Sequence, residues 1–280
     1  MAKRRRKKNK NFFLSLFRYI GIAVLLVCRS ILWIIRKIIQ LILNKKIRQS
    51  IAVKGKKHHV PEYVSFELKK TKEGDLQKFT KHMETSKSLI GIILGARGSG
   101  KSAIGMKILE NIKAKTKRKV CAIGFKAKDL PDWITIINDA NELPSNAFVL
   151  IDEGGITFSS RESMSEPNKL LTELLLIARH KDLSILFISQ NSANIEINTI
   201  RQADYLLLKP HSLLQLDFER KKIKDIYKEV EEDIKALKSI PGITYVYSDS
   251  FRGFITNKLP SFWSTKVSKA YEGYKKEKKD

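Results

Sequence analysis

The 280-residue chain carries 54 Lys and Arg against 29 Asp and Glu, a formal net charge of +25. Seventeen of those cations fall between Met1 and Val60, where no Asp or Glu occurs, leaving +8 for the rest of the chain. The basic excess implies anionic partners, met chiefly at the N-terminus; the two distant cysteines, Cys28 and Cys121, exclude a disulfide framework and a cysteine metal site and point to a reducing compartment.

Residues 1–50 form a basic N-terminus followed by an apolar stretch from Phe12 to Leu43. Arg18, Arg29, Arg36 and Lys37 interrupt that stretch, so its longest uncharged run is the ten residues Tyr19 to Cys28. A spanning helix needs about 20. A cleavable leader is not expected either, because no small-residue cleavage site ends the apolar run. At about 100° per residue, Arg18, Arg29 and Arg36 share one face of a helix, the pattern of an amphipathic anchor with arginines among anionic headgroups. Burial of the same helix against partner subunits is the alternative. Residues 51–86 read as a linker with a leading strand or two around Val60, Tyr63, Val64, Phe66 and Leu68; the pair His58 and His59 has no companions at metal-ligand spacing.

The third segment, residues 87–212, holds the informative motifs. Leu89 to Leu94 is a continuous apolar run, as expected of a parallel strand covered on both faces. Gly95, Ala96, Arg97, Gly98, Ser99, Gly100, Lys101 and Ser102 follow, fitting G-x-x-x-x-G-K-[ST] at every specified position. Glycines let the backbone curl with its N–H groups turned inward on a triphosphate. Lys101 adds a point charge for the β and γ phosphates, and the Ser102 hydroxyl suits the Mg²⁺ bridging them. The stripe Ala103, Met106, Ile108, Leu109 and Ile112 predicts a helix whose positive end faces the phosphates.

Val120 to Phe125 reads as a second strand. Ala147 to Ile151 is an apolar run ending in Asp152-Glu153, a Walker B pair in which Asp152 holds the Mg²⁺ shell and Glu153 orients or deprotonates the attacking water. An apolar helix from Leu170 to Ala178 ends in Arg179-His180-Lys181. The strand Leu183 to Ser189 runs into Gln190, an amide placed to report the γ-phosphate, and Tyr205 to Lys209 completes a five-stranded parallel sheet. Lys113 to Lys119 and Lys126 to Lys128 are basic runs that face DNA or solvent. A GTPase is disfavoured, since Pro167-Asn168-Lys169-Leu170 lacks the Asp of a guanine-reading element. The last segment, residues 213–280, is expected as a small α+β appendage: a charged helix over Phe218 to Leu237, a hairpin from Gly242 to Thr256, and a final helix led by Leu259 to Ser264. Phe262 and Trp263 are expected to pack in a core rather than to stack on bases.

The P-loop, Asp152-Glu153, Ile177-Ala178-Arg179-His180, Ser189-Gln190 and Ile200 to Asp204 together resemble the HerA and FtsK superfamily of motor ATPases. The nearer likenesses are the viral genome-packaging ATPases and the zonular occludens toxin-like morphogenesis proteins. The resemblance implies a RecA-like α/β fold with a mostly parallel sheet, an ATP hydrolase using ATP and Mg²⁺, and a hexameric ring moving double-stranded DNA. It makes Glu153 the catalytic glutamate, Gln190 the sensor, and Arg179 or Arg201 the arginine finger offered to a neighbouring subunit. A zonular occludens toxin-like assembly or secretion ATPase acting on proteins is the alternative. Because ATP is cytosolic and both flanks of the apolar stretch are basic, the anchor is expected in-plane or re-entrant on the cytoplasmic face of a membrane.

Overall fold

The computed structural model describes residues 29–30, 33–37, 59–125, 130–137, 139–153 and 167–264. The chain divides into two compact units, Met1–Gly55 and Lys56–Asp280. In the first unit, residues 29–30 and 33–37 are helical, with Trp33, Ile34 and Ile35 exposed and the Lys37 ammonium 5.1 Å from the Trp33 ring centroid. Most of the expected anchor, including Arg18, lies outside the described residues. No helix among the described residues is long and apolar enough to cross a membrane.

The second unit is built on one mixed sheet whose described strands are β1 (Glu67–Gly74), β2 (Ile90–Leu94), β3 (Lys119–Ile123), β4 (Ile134–Ile136), β5 (Ala147–Asp152), β6 (Ser184–Ile188), β7 (Tyr205–Leu208), β8 (Thr244–Ser248) and β9 (Phe251–Thr256). They run in the order β1-β9-β8-β7-β2-β6-β5-β3-β4. The block β7-β2-β6-β5-β3-β4 is parallel, and β8, β9 and β1 add antiparallel to it. The parallel sheet therefore has β4 in addition to the five strands expected. Three residues long, β4 is too short to show a period in sequence; pairing with Val120 to Ala122 defines it.

Helices α1 (Leu76–Thr85), α2 (Lys101–Lys115), α3 (Pro167–His180), α4 (Ile197–Arg201), α5 (Leu213–Phe218), α6 (Lys221–Glu229) and α7 (Glu231–Leu237) accompany the strands. Strand alternation sorts the core into two faces. Phe148 and Leu150 of β5, with Tyr205 and Leu207 of β7, join α1 and α2 on one face. On the other, Val149 and Ile151 meet α3, while Leu206 and Leu208 meet Ile223, Ile226 and Tyr227 of α6. Each fully buried Ile, Leu or Phe contributes about 1.5–3 kcal/mol, so this double covering, and not helix propensity, holds the layers together.

Three further expectations change. The hairpin from Gly242 to Thr256 forms, but β8 pairs with β7 and continues the sheet, so residues 213–264 are part of the domain and not an appendage. The helix expected over Phe218 to Leu237 is two, broken at Val230, whose buried side chain belongs to the same cluster as Ile223 and Ile234. The linker of residues 51–86 contains α1, capped by the Asp75 carboxylate accepting from Gln77 N.

Helix α2 is buried nearly all round, beyond its apolar stripe. Its polar side is covered by backbone from both ends of the domain. Glu110, fully buried, pairs with Lys107 at 2.8 Å and accepts from Ser261 N at 3.2 Å, while Asn111 exchanges two hydrogen bonds with Val64. Phe262 packs edge-on against Trp133 at 5.5 Å, and Trp263 is partly buried beside the same core, as expected. The final helix led by Leu259 to Ser264 lies outside the described residues, as do Lys126 to Lys128.

Arg118 departs furthest from expectation. It lies within the basic run Lys113 to Lys119 yet is buried, reaching the carbonyls of Ser86 (3.0 Å), Lys87 (3.2 Å) and Ala147 (2.8 Å) and the Ser184 hydroxyl (3.0 Å). It ties together the starts of β2, β5 and β6 at one edge of the sheet. That edge is opposite the one where the P-loop sits.

Candidate nucleotide site

Parallel pairing aligns the carboxyl ends of β2, β5, β6 and β7. Asp152 and Ile93 are both register partners of Ile188, and Leu94 pairs with Leu208, so Glu153, Ser189, Gly95 and Lys209 emerge from adjacent strands at one level. Open α/β sheets bind their ligands at this edge.

The loop after β2 has the cradle geometry. Gly95 and Gly100 have φ of 147° and 88°, and a Cβ on Gly95 would lie 2.5 Å from the Lys209 Cβ, so glycine is required there twice over. Gly100 caps α2 without a side-chain bond, and Ile104 N donates to Gly100 O at 3.1 Å. The amides of Lys101, Ser102 and Ala103 precede that first helical bond and point out from the helix N-terminus. The Ser99 hydroxyl is buried with no protein partner. Lys101 is buried, its ammonium donating to Gly95 O at 2.8 Å and Ala96 O at 2.9 Å. Burial lowers its pKa, and the nearby Asp152 and Glu153 carboxylates oppose that shift. Arg97 is exposed at the loop's tip.

These groups fit a nucleoside triphosphate with Mg²⁺: outward amides and Lys101 for the phosphates, Ser102 and Asp152 as the oxygen ligands a hard cation requires. Among the described residues no group of three or more His, Cys, Asp and Glu could hold a metal on its own. The donor set is that of an ion brought in with phosphate.

Asp152 and Glu153 are half-buried at the end of β5. Burial pushes the Glu153 pKa up, while hydrogen bonds from Ser189 and Asn194 and the charge of Lys101 pull it back. Ser189 and Asn194 are site residues that the sequence reading missed. The loop holding them is clamped from α5 and the turn after it: Glu219 accepts from Ser192 N at 2.9 Å, and Arg220 Nη2 donates to Ile195 O at 2.9 Å. Gln190 follows Ser189 and is exposed, its carbonyl accepting from Gln215. Arg179 and Arg201 are exposed in the last turns of α3 and α4. Both helices lead directly into the starts of strands, so both arginines lie at the Arg118 edge and neither enters this chain's own cradle.

Lys209, also missed, follows β7 and is 1% exposed. Its amide donates to Leu94 O at 2.8 Å, its carbonyl accepts from the Tyr227 hydroxyl at 3.0 Å, and its ammonium donates to Gly242 O at 2.8 Å.

Residues 105–205 match the family model described as Zonular occludens toxin (Zot). The match runs from within α2, after the phosphate loop, to the start of β7 and bears out the resemblance carried by Asp152, Glu153 and the motifs after them. No curated protein matches the chain. Among solved structures, the chain is similar to the genome packaging NTPase B204 from Sulfolobus turreted icosahedral virus 2 in complex with AMPPCP, at 15% identity and a TM-score of 0.43, over 62% of this chain and all of that one. It is similar to EssC (ATPases 2 and 3) from Geobacillus thermodenitrificans at 10% identity and a TM-score of 0.41, over 72% and 46% of the two chains. A third is the pCW3 conjugation coupling protein TcpA, at 12% identity and a TM-score of 0.39, over 61% and 60%. Cradle, Walker B pair and family match together identify a P-loop ATPase.

Proposed function

We propose that this ATPase is a membrane-associated motor that couples ATP hydrolysis to translocation of double-stranded DNA, in viral genome packaging or conjugative-type transfer. The observation that carries the reading is the joint placement of Lys101, Asp152, Glu153 and Ser189 at one strand-end edge, in a chain with seventeen cations and no acid in its first sixty residues. The loop amides and Lys101 bind the phosphates. Ser102 and Asp152 would hold Mg²⁺, which when bound would neutralise phosphate charge. Glu153, steadied by Ser189 and Asn194, orients the attacking water and takes its proton. Gln190 reports the γ-phosphate, and the exposed Arg179 or Arg201 serves the cradle of the next subunit in a hexameric ring. The basic N-terminal stretch holds the protein to the cytoplasmic face of a membrane, where Trp33, Ile34 and Ile35 suit an interfacial helix.

Binding to the DNA backbone releases counterions, so its strength falls steeply with salt. The full chain's ATPase rate, measured with and without double-stranded DNA across a salt series, is expected to rise with DNA and lose that stimulation as salt increases. An active oligomer indifferent to DNA would contradict the motor reading. It would favour the second one, to which the zonular occludens toxin match lends weight: an assembly or secretion ATPase acting on proteins at the membrane.

A further inference from the structure

Two ammonium groups lie against the phosphate loop, and only one has carboxylates near it. Lys101 is balanced by Asp152 and Glu153. Lys209 forms no ion pair among the described residues, and its charged neighbour is Lys101 itself. Its Cβ packs on Gly95 at one end of the loop, while its Nζ lies 3.8 Å from where a Cβ on Gly100 would sit at the other. The acceptor it does have, Gly242 O, also takes the Thr244 hydroxyl at 3.0 Å, in a turn held further by Thr256 Oγ1 donating to Pro241 O at 2.6 Å. That turn, with Gly242 at φ 76°, opens β8. Burial of an uncompensated cation costs several kcal/mol, and a hydrogen bond to one carbonyl does not offset it. Burial and the neighbouring Lys101 pull the Lys209 pKa down to about 7.

We propose that Lys209 is a second cation of the phosphate site: a positioning residue that braces the Gly95–Gly100 loop against the Gly242 turn and transmits the arrival of nucleotide phosphate to the β8–β9 edge. The inference rests on the loop being a nucleotide cradle. Anionic phosphate supplies the counter-charge that the protein omits, strengthening the loop's hold on Lys209 and with it the hold of Lys209 on the turn. The arrangement joins nucleotide state to the antiparallel strands that β1 enters.

The experiment uses the full chain, with ATP and ADP as probes. Wild type and the variants Lys209→Met and Lys209→Arg are compared by nucleotide affinity, melting temperature and amide hydrogen exchange over residues 240–244. Lys209→Met is expected to weaken both nucleotides about tenfold, the scale of one partly screened charge, with Lys209→Arg recovering part of the loss. Nucleotide is expected to slow exchange at the turn in wild type and to leave it unchanged in Lys209→Met. Affinity within twofold of wild type together with a lowered melting temperature would make Lys209 a mere staple and overturn the proposal. If Lys209→Met does not fold, wild-type exchange decides, and no nucleotide response at 240–244 sinks the idea. Wild type that binds neither nucleotide would overturn the cradle reading itself, and this proposal with it.

Discussion

Replacing Arg118 by Met keeps the aliphatic stem and removes the fork. The three shortest bonds of the guanidinium, 2.8–3.0 Å to Ala147 O, Ser86 O and Ser184 Oγ, would vanish, leaving acceptors inside the starts of β2, β5 and β6 without their donor. Each such loss costs about 1–3 kcal/mol. Against a total of about 6 kcal/mol for the three, removing a desolvated cation returns roughly 2–3 kcal/mol, and the methionine stem against the Phe148 ring, which the guanidinium now faces at 5.7 Å, about 0.5 kcal/mol. The balance is a loss of about 3 kcal/mol. With a urea dependence of about 3 kcal/mol per molar, the unfolding midpoint falls by about 1 M. Urea titration followed by circular dichroism measures it, and nucleotide affinity measured alongside should not change, because Arg118 is at the far edge of the sheet. A midpoint within 0.2 M of wild type would refute the argument that Arg118 ties the strand starts, and would return it to the solvated basic run in which the sequence places it.

Lys101→Ala is expected to abolish nucleotide binding, read by equilibrium titration with a fluorescent ATP analogue. Glu153→Gln should bind ATP but hydrolyse it about 10²–10⁴-fold more slowly; wild-type turnover would remove Glu153 from its role. Since the folded-state pKa of Glu153 is raised, the folded state holds that proton more tightly than the unfolded chain, and ionisation costs stability as pH rises through the folded value. Accordingly Glu153→Gln should be the more stable protein at neutral pH, with the advantage disappearing in acid below the ordinary glutamate range. Wild-type activity should likewise fall on acidification earlier than an ordinary glutamate would dictate. Gly95→Ala should lose about 1–3 kcal/mol, because its Cβ must displace the backbone-proximal part of Lys209; thermal unfolding tests it. Deleting residues 1–50 should release the protein from vesicles containing anionic lipid in a flotation assay, and persistent binding would defeat the anchor reading.

What the sequence made legible is what local chemistry specifies. The cradle has fixed spacing, Asp152 and Glu153 end an unbroken apolar run, and α2 and β2, β3, β5, β6 and β7 carry periods long enough to read. What escaped depends on contacts between distant residues. Strand β4 exists through its pairing with β3, and Lys209 matters only because β7 lies beside β2. Arg118 looks like one more cation in a basic run until three strand starts converge on it. Ser189 and Asn194 belong to the polar run Ser189-Gln190-Asn191-Ser192-Ala193-Asn194, a visible signal at a strand end that draws attention to Gln190 alone. The break at Val230 has no Gly or Pro to announce it, and the apolar positions on either side keep one helical phase, so the sequence reads as a single helix.

The pairing of β1 with β9 sets Glu67 opposite Thr256 and Gly74 opposite Phe251. A ribosome delivers β1 before the other described strands and β9 after them, so β1 waits through synthesis of the whole parallel block with no strand to join. Its sequence suits that wait: Glu-Leu-Lys-Lys-Thr-Lys-Glu-Gly is charged and mostly exposed even when paired, a poor template for aggregation. The parallel core from β2 to β7 can gather meanwhile, and the hairpin then docks on β7 and receives β1. A nascent chain stalled before Phe251 would thus carry every phosphate-binding residue of the loop and still lack the strand that β1 pairs with, so closure of this side of the sheet waits until Thr256 has been made.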